Sequence, residues 1–209
     1  MSEESPSGSP FRTASAKGRE STLPLGREAA KGELEGDSSR RLFFALCPDE
    51  TIRQTIRQTT ARAVRGAGGR AVRAENWHLT LAFLGAQPVS ILPALRDAAA
   101  QLEPPKGTLT LDRLGHFRRT LVLWIGPRQT PQTLRDFVAA LWEALEPLAI
   151  KRERRAFTAH LTLARKVKVA PLGCVQPVIW PYAGFSLVES VTESRGARYK
   201  LLADWAAVK

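Results

Sequence analysis

Residues 78–82 read His78-Leu79-Thr80-Leu81-Ala82, and residues 160–164 repeat the same five amino acids without a change. The two copies hold two of the three histidines in a chain of 209 residues. In an extended strand, side chains two positions apart point to the same face. Each copy therefore places histidine and threonine on one face and two leucines on the other, as expected of a strand with polar groups in front and a core behind.

The residues before each copy follow the same order of elements. Residues 42–46 and 121–125 are continuous apolar runs typical of buried strands. Asp49 is suited to cap a helix after the first run, and Pro131 is suited to open a helix after the second. Each histidine follows the start of its leading strand by a similar distance, 36 and 39 residues. The matched spacing predicts a duplicated strand–helix–strand unit.

The other apolar segments predict an α+β fold. A helix is predicted over residues 90–102, and further strands are predicted over residues 108–113, 175–179, 185–191 and 199–205. Strands joined by helices without a Gly-rich phosphate loop argue against a nucleotide-binding α/β sheet. We expect two pseudo-symmetric lobes, each a mainly antiparallel sheet with helices outside, and an active-site cleft between the lobes.

The chain divides into a polar extension and one folded domain. Residues 1–39 are rich in Ser, Gly, Glu, Lys and Pro and show little apolar periodicity, so we expect a disordered extension. Seven acidic residues among the first 40 argue against a transit peptide. We expect residues 40–209 to form a single domain that contains both copies of the repeat.

Charge and composition favour a polyanionic partner. The net charge is +11, and residues 41–209 alone carry 25 basic and 13 acidic side chains, or +12. Arginine outnumbers lysine 23 to 8, and arginine suits bidentate contacts with phosphate. A solvated basic surface would produce the same numbers, so charge alone leaves nucleic acid as one of two interpretations.

The sequence shows no sign of a membrane or secreted protein. No apolar run approaches the roughly 20 residues that a membrane span requires. The start of the chain lacks the basic and then apolar order of a secretory signal. We therefore expect a cytoplasmic monomer without a membrane partner.

Two facing His-x-Thr strands can perform acid–base chemistry on a phosphate. Histidine titrates near neutrality, so His78 and His160 can accept or give a proton at working pH. The hydroxyls of Thr80 and Thr162 can donate hydrogen bonds to phosphoryl oxygens and hold the phosphate in line. Two histidines and two threonines without carboxylates make a poor set of metal ligands, so we expect neither a metal nor another cofactor.

Structural roles are assigned to the other histidine, two aromatic residues and both cysteines. His116 is not followed by threonine at the same spacing, and we expect it at the surface near a turn. Trp77 and Phe157 flank the repeated histidines and are interpreted as core residues rather than as platforms for base stacking. Cys47 and Cys174 are interpreted as small core residues, and the sequence alone leaves a disulfide between them open.

Three segments resemble the two-histidine phosphoesterases. They are RLFFAL at residues 41–46, NWHLTLAFLG at residues 76–85 and FTAHLTLAR at residues 157–165. Within that family they look like the bacterial and archaeal RNA 2′,3′-cyclic phosphodiesterases, also called 2′-5′ RNA ligases, and the likeness covers residues 40–206 approximately. The resemblance implies a metal-independent enzyme that opens RNA 2′,3′-cyclic phosphate ends to 2′-phosphate ends. One departure is Ala159, where the family commonly has proline, and this change removes no chemical group.

The resemblance also implies a role for each candidate residue. His78 would be the proton donor and His160 the proton acceptor, a choice that the symmetry of the sequence alone does not make. Thr80 and Thr162 would contact the phosphate. Arg165 matches a basic residue often found after the second motif and is the candidate substrate-binding residue. Strict alternation turns Arg165 to the opposite face of its strand, so it reaches phosphate only if the strand ends or bulges there.

The leading prediction is paired histidine acid–base hydrolysis, with weak reversible 2′-5′ joining of RNA ends as an implied side reaction. Two alternatives stay open. One is a related phosphodiesterase that acts on 2′-5′ oligonucleotides or on small cyclic phosphates such as ADP-ribose cyclic phosphate. The other is a catalytically idle RNA-binding module that uses the basic cleft without turnover. Intact histidine and threonine in both copies disfavour the idle module, and a turnover assay separates it from an enzyme.

Overall fold

The computed structural model describes residues 38–153, 155–171, 173–193 and 196–207, which contain eight strands and three α-helices. The strands are β1 (Ser39–Leu46), β2 (Arg70–Ala71), β3 (Leu79–Pro88), β4 (Lys106–Phe117), β5 (Val122–Gly126), β6 (Leu161–Arg165), β7 (Gly173–Glu193) and β8 (Gly196–Ala206). The α-helices are α1 (Glu50–Gly66), α2 (Leu92–Ala100) and α3 (Gln132–Leu145). Short 3-10 helices cover Ala74–Asn76, Val89–Ile91 and Glu146–Leu148.

Every strand pair in the described residues is antiparallel, and the strands lie in the order β1-β3-β6-β5-β4-β7-β8. The short strand β2 pairs with β6 off this path. The first half of β7 pairs with β4, and its second half pairs with both β1 and β8. Strand β7 therefore joins β4 to β1, and the pairings β1-β3-β6-β5-β4-β7 close the sheet into a ring.

The two halves of the sheet are related as the repeat predicts. Strand β1 pairs with β3 with Leu46 opposite Leu79, and β5 pairs with β6 with Ile125 opposite Leu161. Each copy of the pentapeptide thus lies next to its own leading strand, at the same register. The predicted α+β class and mainly antiparallel sheet are confirmed, and β7 is shared by both halves.

The prediction of separate strands over residues 175–179 and 185–191 is wrong, because both belong to β7. In β7, Ala183 is the last residue opposite β4 and Gly184 is the first opposite β8. The backbone therefore passes from one ladder to the next without an unpaired residue. Continuous pairing at this junction keeps both segments in one strand, although the ladder with β4 is irregular around Pro177.

The helices cover one continuous core. The side chain of Asp49 caps α1, since its Oδ1 accepts a hydrogen bond from the amide of Ile52 at 2.8 Å. Helix α3 buries an apolar face that includes Leu134, Leu141 and Leu145. The leucines of both pentapeptides join this same buried core, at positions 79, 81, 161 and 163. Each repeat is thereby anchored from behind.

The structure also tests the expected burial of two aromatic residues and both cysteines. Trp77 is buried, as interpreted, whereas Phe157 is only half-buried. Cys47 and Cys174 are exposed free thiols, so their interpretation as core residues is wrong. Cys47 follows the end of β1 and Cys174 lies at the start of β7, where side chains reach solvent.

The predicted disordered extension falls mostly on residues 1–37, which lie outside the described residues. Strand β1 begins at Ser39, one residue before the expected start of the domain. Among the helices that the structure describes, none combines the length and the apolar character that a membrane crossing requires.

Candidate active site

The two repeated histidines have the same hydrogen bond to the backbone. Nδ1 of His78 lies 2.8 Å from the carbonyl oxygen of Asn76, and Nδ1 of His160 lies 2.8 Å from the carbonyl oxygen of Thr158. A carbonyl oxygen only accepts, so each Nδ1 carries the hydrogen and donates it. In the neutral rings Nε2 then has a free lone pair, and in the charged rings Nε2 has a proton to give. Each ring is oriented to exchange a proton at Nε2.

Aromatic side chains pack against both histidine rings. The ring of His78 lies 4.6 Å from that of Phe43 and meets the ring of Tyr199 edge to face at 4.9 Å, centroid to centroid. The ring of His160 meets that of Phe117 edge to face at 4.9 Å, and the ring of Trp124 lies 6.2 Å away. These contacts fix both imidazoles and exclude water from their sides.

A glycine makes the packing at His160 feasible, and sequence reasoning missed it. Gly115 on β4 lies opposite Trp124 on β5. A Cβ atom at Gly115 would lie 1.9 Å from Cζ2 of Trp124, a distance that no side chain tolerates. Only glycine leaves room for the indole ring in its present position beside the imidazole.

Each copy of the pentapeptide contains a β-bulge. Between β1 and β3 the register shifts, so that Ala82 and Thr80 lie opposite neighbouring residues of β1 and Leu81 is the extra residue. Between β5 and β6 the same shift makes Leu163 the extra residue. In both copies the leucine and the following alanine are therefore buried one after the other.

The second bulge decides where Arg165 points. Past the extra residue Leu163 the alternation is reversed, so Arg165 returns to the face of His160 and Thr162. Strand β6 also ends at Arg165. The sequence required that the strand of Arg165 either end or bulge near this residue for the side chain to face the histidine. In the structure the strand does both.

One cavity brings the five predicted site residues together. It has a volume of about 360 Å³ and is lined by His78, Thr80, His160, Thr162 and Arg165. Its wall also includes Phe83, Phe117 and the half-buried Phe157. Phe157, interpreted as a core residue, therefore contacts the cleft.

The contact between β3 and β6 sets the relative position of the two repeats. Leu79 pairs with Leu161, and this is the one register pair that joins the two strands in the described residues. Because the strands are antiparallel, His78 lies on the side of Thr162, and His160 lies on the side of Thr80. Each histidine therefore lies beside the threonine of the other copy.

Burial lowers the pKa of both histidines. For His78, loss of solvent lowers the pKa to about 4. The bond to the Asn76 carbonyl opposes this change, whereas the positive charges of Arg165 and His160 add to it. At neutral pH the free protein therefore holds His78 in its neutral form.

The pKa of His160 is also lowered, first by burial and then by the charge of Arg165. The hydrogen bond to the Thr158 carbonyl and the charge of Glu153 oppose this change. Arg165 lowers the pKa of both imidazoles, whereas the charge of Glu153 acts on His160 alone of the two.

His116 was expected at the surface, and this expectation is wrong. It is half-buried on β4, and its Nε2 lies 2.8 Å from the carbonyl oxygen of Val167. The sequence carried no signal for this contact, because the two residues are 51 positions apart. Within the described ranges, no group of three or more His, Cys, Asp or Glu side chains is arranged to hold a metal ion.

The chain is similar to known phosphoesterases. Residues 46–124 match the family described as LigT-like phosphoesterase, a range that includes the first His-x-Thr copy. An RNA 2′,3′-cyclic phosphodiesterase of Escherichia coli (strain K12) is 35% identical over 169 residues, which cover 80% of this chain and 96% of that protein. An RNA 2′,3′-cyclic phosphodiesterase of Thermus thermophilus is 32% identical over 176 residues, covering 78% of this chain and 87% of that protein.

A solved structure shows the same fold. The crystal structure of E. coli LigT complexed with 3′-AMP superposes with a TM-score of 0.75 at 32% sequence identity. The match covers 82% of this chain and 99% of the LigT chain. The likeness therefore includes both halves of the sheet and both copies of the repeat.

Proposed function

The chain belongs to the LigT-like phosphoesterase family, whose relatives include RNA 2′,3′-cyclic phosphodiesterases, and we propose that it hydrolyses the 2′,3′-cyclic phosphate at RNA ends to a 2′-phosphate. The enzyme is a hydrolase that acts through His78 and His160 in this proposal. The observation that carries it is the matched pair of imidazoles in one cavity with Arg165. Each imidazole is held through Nδ1, and Nε2 of each has no hydrogen-bond partner among the described residues.

The proposed step is an in-line displacement at phosphorus. Nε2 of neutral His160 takes a proton from water, and the water oxygen forms a bond to phosphorus. The bond from phosphorus to O3′ breaks, and Nε2 of charged His78 gives its proton to O3′. The product has a 2′-phosphate and a 3′-hydroxyl. The two histidines then return to their starting states by exchanging protons with solvent.

The donor and acceptor roles follow the family resemblance, and His78 must therefore be charged in the complex. Burial works against this charge in the free protein, since it lowers the pKa of His78 to about 4. The negative charge of a bound cyclic phosphate raises the pKa of both imidazoles. Substrate binding thus supplies the proton affinity that the free cleft lacks.

The remaining cleft residues bind the phosphate in this proposal. The hydroxyl groups of Thr80 and Thr162 donate to the two oxygens of phosphorus that take no part in bond breaking. Arg165 faces the cavity with an exposed guanidinium group that forms no ion pair within the described residues. Its charge stabilises the extra negative charge of the transition state.

We also propose that the same residues join RNA ends. When a ribose 5′-hydroxyl takes the place of water, His160 accepts the hydroxyl proton and the 5′-oxygen forms the bond to phosphorus. The P–O3′ bond breaks as before, and a 2′-5′ linkage results. We propose this as a weak side reaction, because water is present at a far higher concentration than RNA ends.

Product analysis tests the proposal. The purified protein is incubated with adenosine 2′,3′-cyclic phosphate in excess EDTA, and the product is read by phosphorus NMR. We expect turnover with a 2′-phosphate as the product, because the step uses only side chains of this chain. A 3′-phosphate product contradicts the proposed direction of ring opening, and loss of activity that added metal restores contradicts the metal-independent step.

An RNA-binding measurement and turnover of other substrates address the two alternatives. RNA binding without any turnover would identify a catalytically idle binding module. Turnover of 2′-5′ oligoadenylate or ADP-ribose cyclic phosphate at a higher kcat/KM than RNA ends would identify a related phosphodiesterase with another substrate.

A further inference from the structure

A second, smaller cavity lies beside the proposed catalytic cavity. It has a volume of about 70 Å³ and is lined by Arg70, Arg73, Asn76, Arg165 and Tyr199, among others. Arg165 lines both cavities. Tyr199 also joins them, because its ring contacts the ring of His78 at 4.9 Å. The two cavities therefore share part of their walls.

Two arginines face each other at the border of these cavities. Arg70 on β2 lies directly opposite Arg165 on β6 in the antiparallel ladder. Directly opposed residues have Cβ atoms roughly 5 Å apart, and like charges in this arrangement destabilise a sheet. Neither guanidinium group forms an ion pair or a side-chain hydrogen bond in the part of the chain that the structure describes. No carboxylate of the described residues offsets the repulsion between the two arginines.

Backbone contacts on both sides of β2 hold Arg70 opposite Arg165. A Cβ atom at Gly69 would lie 2.6 Å from the carbonyl oxygen of Arg165 and 3.2 Å from the amide nitrogen of Val167. Glycine thus permits β2 to approach the end of β6 closely. After β2, the amide of Val72 donates to the carbonyl of Leu163 at 2.8 Å. These contacts fix both ends of the two-residue strand.

Three arginines beside the cleft already have partners. Next to His160, a third cavity is lined by Arg113, Arg128 and Arg135. Arg128 forms an ion pair with Asp112 at 3.3 Å. Arg135 donates to the Thr130 carbonyl and to the Gln132 side chain. Arg113 lies over the ring of Trp124.

On the β2 side, Arg73 pairs with Glu75 at 3.5 Å, and Asn76 donates to the Ala197 carbonyl at 2.7 Å. Arg70 and Arg165 are thus the unpaired donors at the border of the second cavity. Arg155 also lines the catalytic cavity, but Arg70 and Arg165 are the two arginines that lie directly opposite each other.

We propose that Arg70 and Arg165 form a second phosphate subsite, which binds the phosphodiester one nucleotide before the cyclic end. This inference rests on the proposed function, because a 2′,3′-cyclic phosphate closes the 3′ end and the strand continues only in the 5′ direction. The neighbouring phosphodiester is therefore the next anion that such a substrate offers. The substrate class is an RNA strand of two or more nucleotides rather than a nucleoside cyclic phosphate.

Substrate comparison tests the subsite. The kcat/KM values of adenosine 2′,3′-cyclic phosphate and of the dinucleotide ApA with a 2′,3′-cyclic end are measured for the wild type and for Arg70→Ala. We expect Arg70→Ala to lower the dinucleotide value about tenfold more than the mononucleotide value, since it removes charged hydrogen bonds to the second phosphate. Arg62→Ala is the matched control, because Arg62 is an exposed arginine of α1 that lines neither cavity.

Two further readouts make the result specific. The dependence of the dinucleotide kcat/KM on salt should weaken in Arg70→Ala, because one phosphate contact is lost. Arg70→Lys should restore only part of the dinucleotide preference, because lysine keeps the charge and loses the planar fork. Equal losses for both substrates, or the same loss in Arg62→Ala, would overturn the subsite.

Binding keeps the subsite testable even if the proposed function fails. The Kd values of adenosine 2′-phosphate and of ApA ending in a 2′-phosphate are measured by calorimetry for the same proteins. A preference of the wild type for the dinucleotide that Arg70→Ala removes supports the subsite, whether or not turnover is seen. Equal affinity of the wild type for both ligands refutes it, and absence of turnover with intact dinucleotide binding refutes only the proposed hydrolysis.

Discussion

Phe83 and Arg165 occupy the same position in the two repeats, each two residues beyond the extra leucine of its bulge and each on the wall of the cleft. Their backbones are equivalent, but one side chain is an aromatic ring and the other is a cation. The pseudo-symmetry of the cleft therefore breaks at this pair. The charge of Arg165 lies on the side of the second repeat, and it lowers the pKa of both histidines.

Replacing Arg165 should change both binding and titration. We expect Arg165→Gln to lower kcat/KM for a cyclic phosphate by about 10–100-fold, because a charged contact with the phosphate is lost. The pKa values of His78 and His160 should both rise, since the nearby positive charge is removed. Titration of the imidazole C–H signals by NMR measures these values, and Arg165→Lys is the control that keeps the charge. Unchanged histidine pKa values would contradict the placement of Arg165.

Removal of either repeated histidine should abolish most turnover. We expect His78→Ala and His160→Ala each to lower kcat by about 10²–10⁴-fold, because each removes one half of the acid–base pair. Circular dichroism and the thermal midpoint serve as controls for folding. A folded variant of either kind with a rate like that of the wild type would disprove the proposed mechanism.

The threonines should matter less than the histidines. We expect Thr80→Ala and Thr162→Ala to lower kcat/KM by about 10–100-fold, the cost of one hydrogen bond to a charged group. Thr80→Ser and Thr162→Ser keep the hydroxyl group and should retain most of the activity. If the serine variants lose as much activity as the alanine variants, the hydroxyl groups do not bind the phosphate.

The pH dependence should follow the histidine pair. One imidazole must be neutral and the other charged, so kcat/KM should be bell-shaped and should report the free enzyme. Burial lowers both pKa values, that of His78 to about 4, so both limbs should lie below the ordinary histidine value of 6.5. At higher pH the charged form is lost and kcat/KM falls. The limbs belong to the coupled pair rather than to single residues.

The limbs of kcat should lie at higher pH than those of kcat/KM, because the bound phosphate raises the pKa of both imidazoles. Rates from pH 3 to pH 9, with the chemical step shown to be limiting, check both profiles. A profile of kcat that is flat from pH 5 to pH 9 would rule out paired histidine catalysis.

The N-terminal extension should be dispensable. We expect a chain of residues 38–209 to keep the kcat/KM and thermal midpoint of the full chain, because β1 begins at Ser39 and pairs with β3 and β7 inside the domain. Parallel kinetics and melting curves of the two proteins make the comparison. A shortened chain that fails to fold or to turn over substrate would show that the extension is part of the enzyme.

Local sequence was sufficient to predict the repeated elements. The buried strand before each helix, the Asp49 cap and the alternation of His-x-Thr with leucine depend on contacts between near neighbours in the chain, which composition and spacing record. Comparison with relatives then confirms the family and the α+β fold. The roles of His78, His160, Thr80, Thr162 and Arg165 stay predictions for the variants above.

The amino-acid sequence alone predicted the pair of strands that carry histidine and threonine in front of a leucine core. The tertiary structure decided how those strands meet, through the pairing of Leu79 with Leu161 and through a bulge in each copy. It also decided the surroundings of His116, the room that Gly115 leaves for Trp124, and the opposition of Arg70 and Arg165. The physical reason is that alternation and capping are local, whereas a bulge, a close approach and a cross-strand pair each depend on residues from distant parts of the chain.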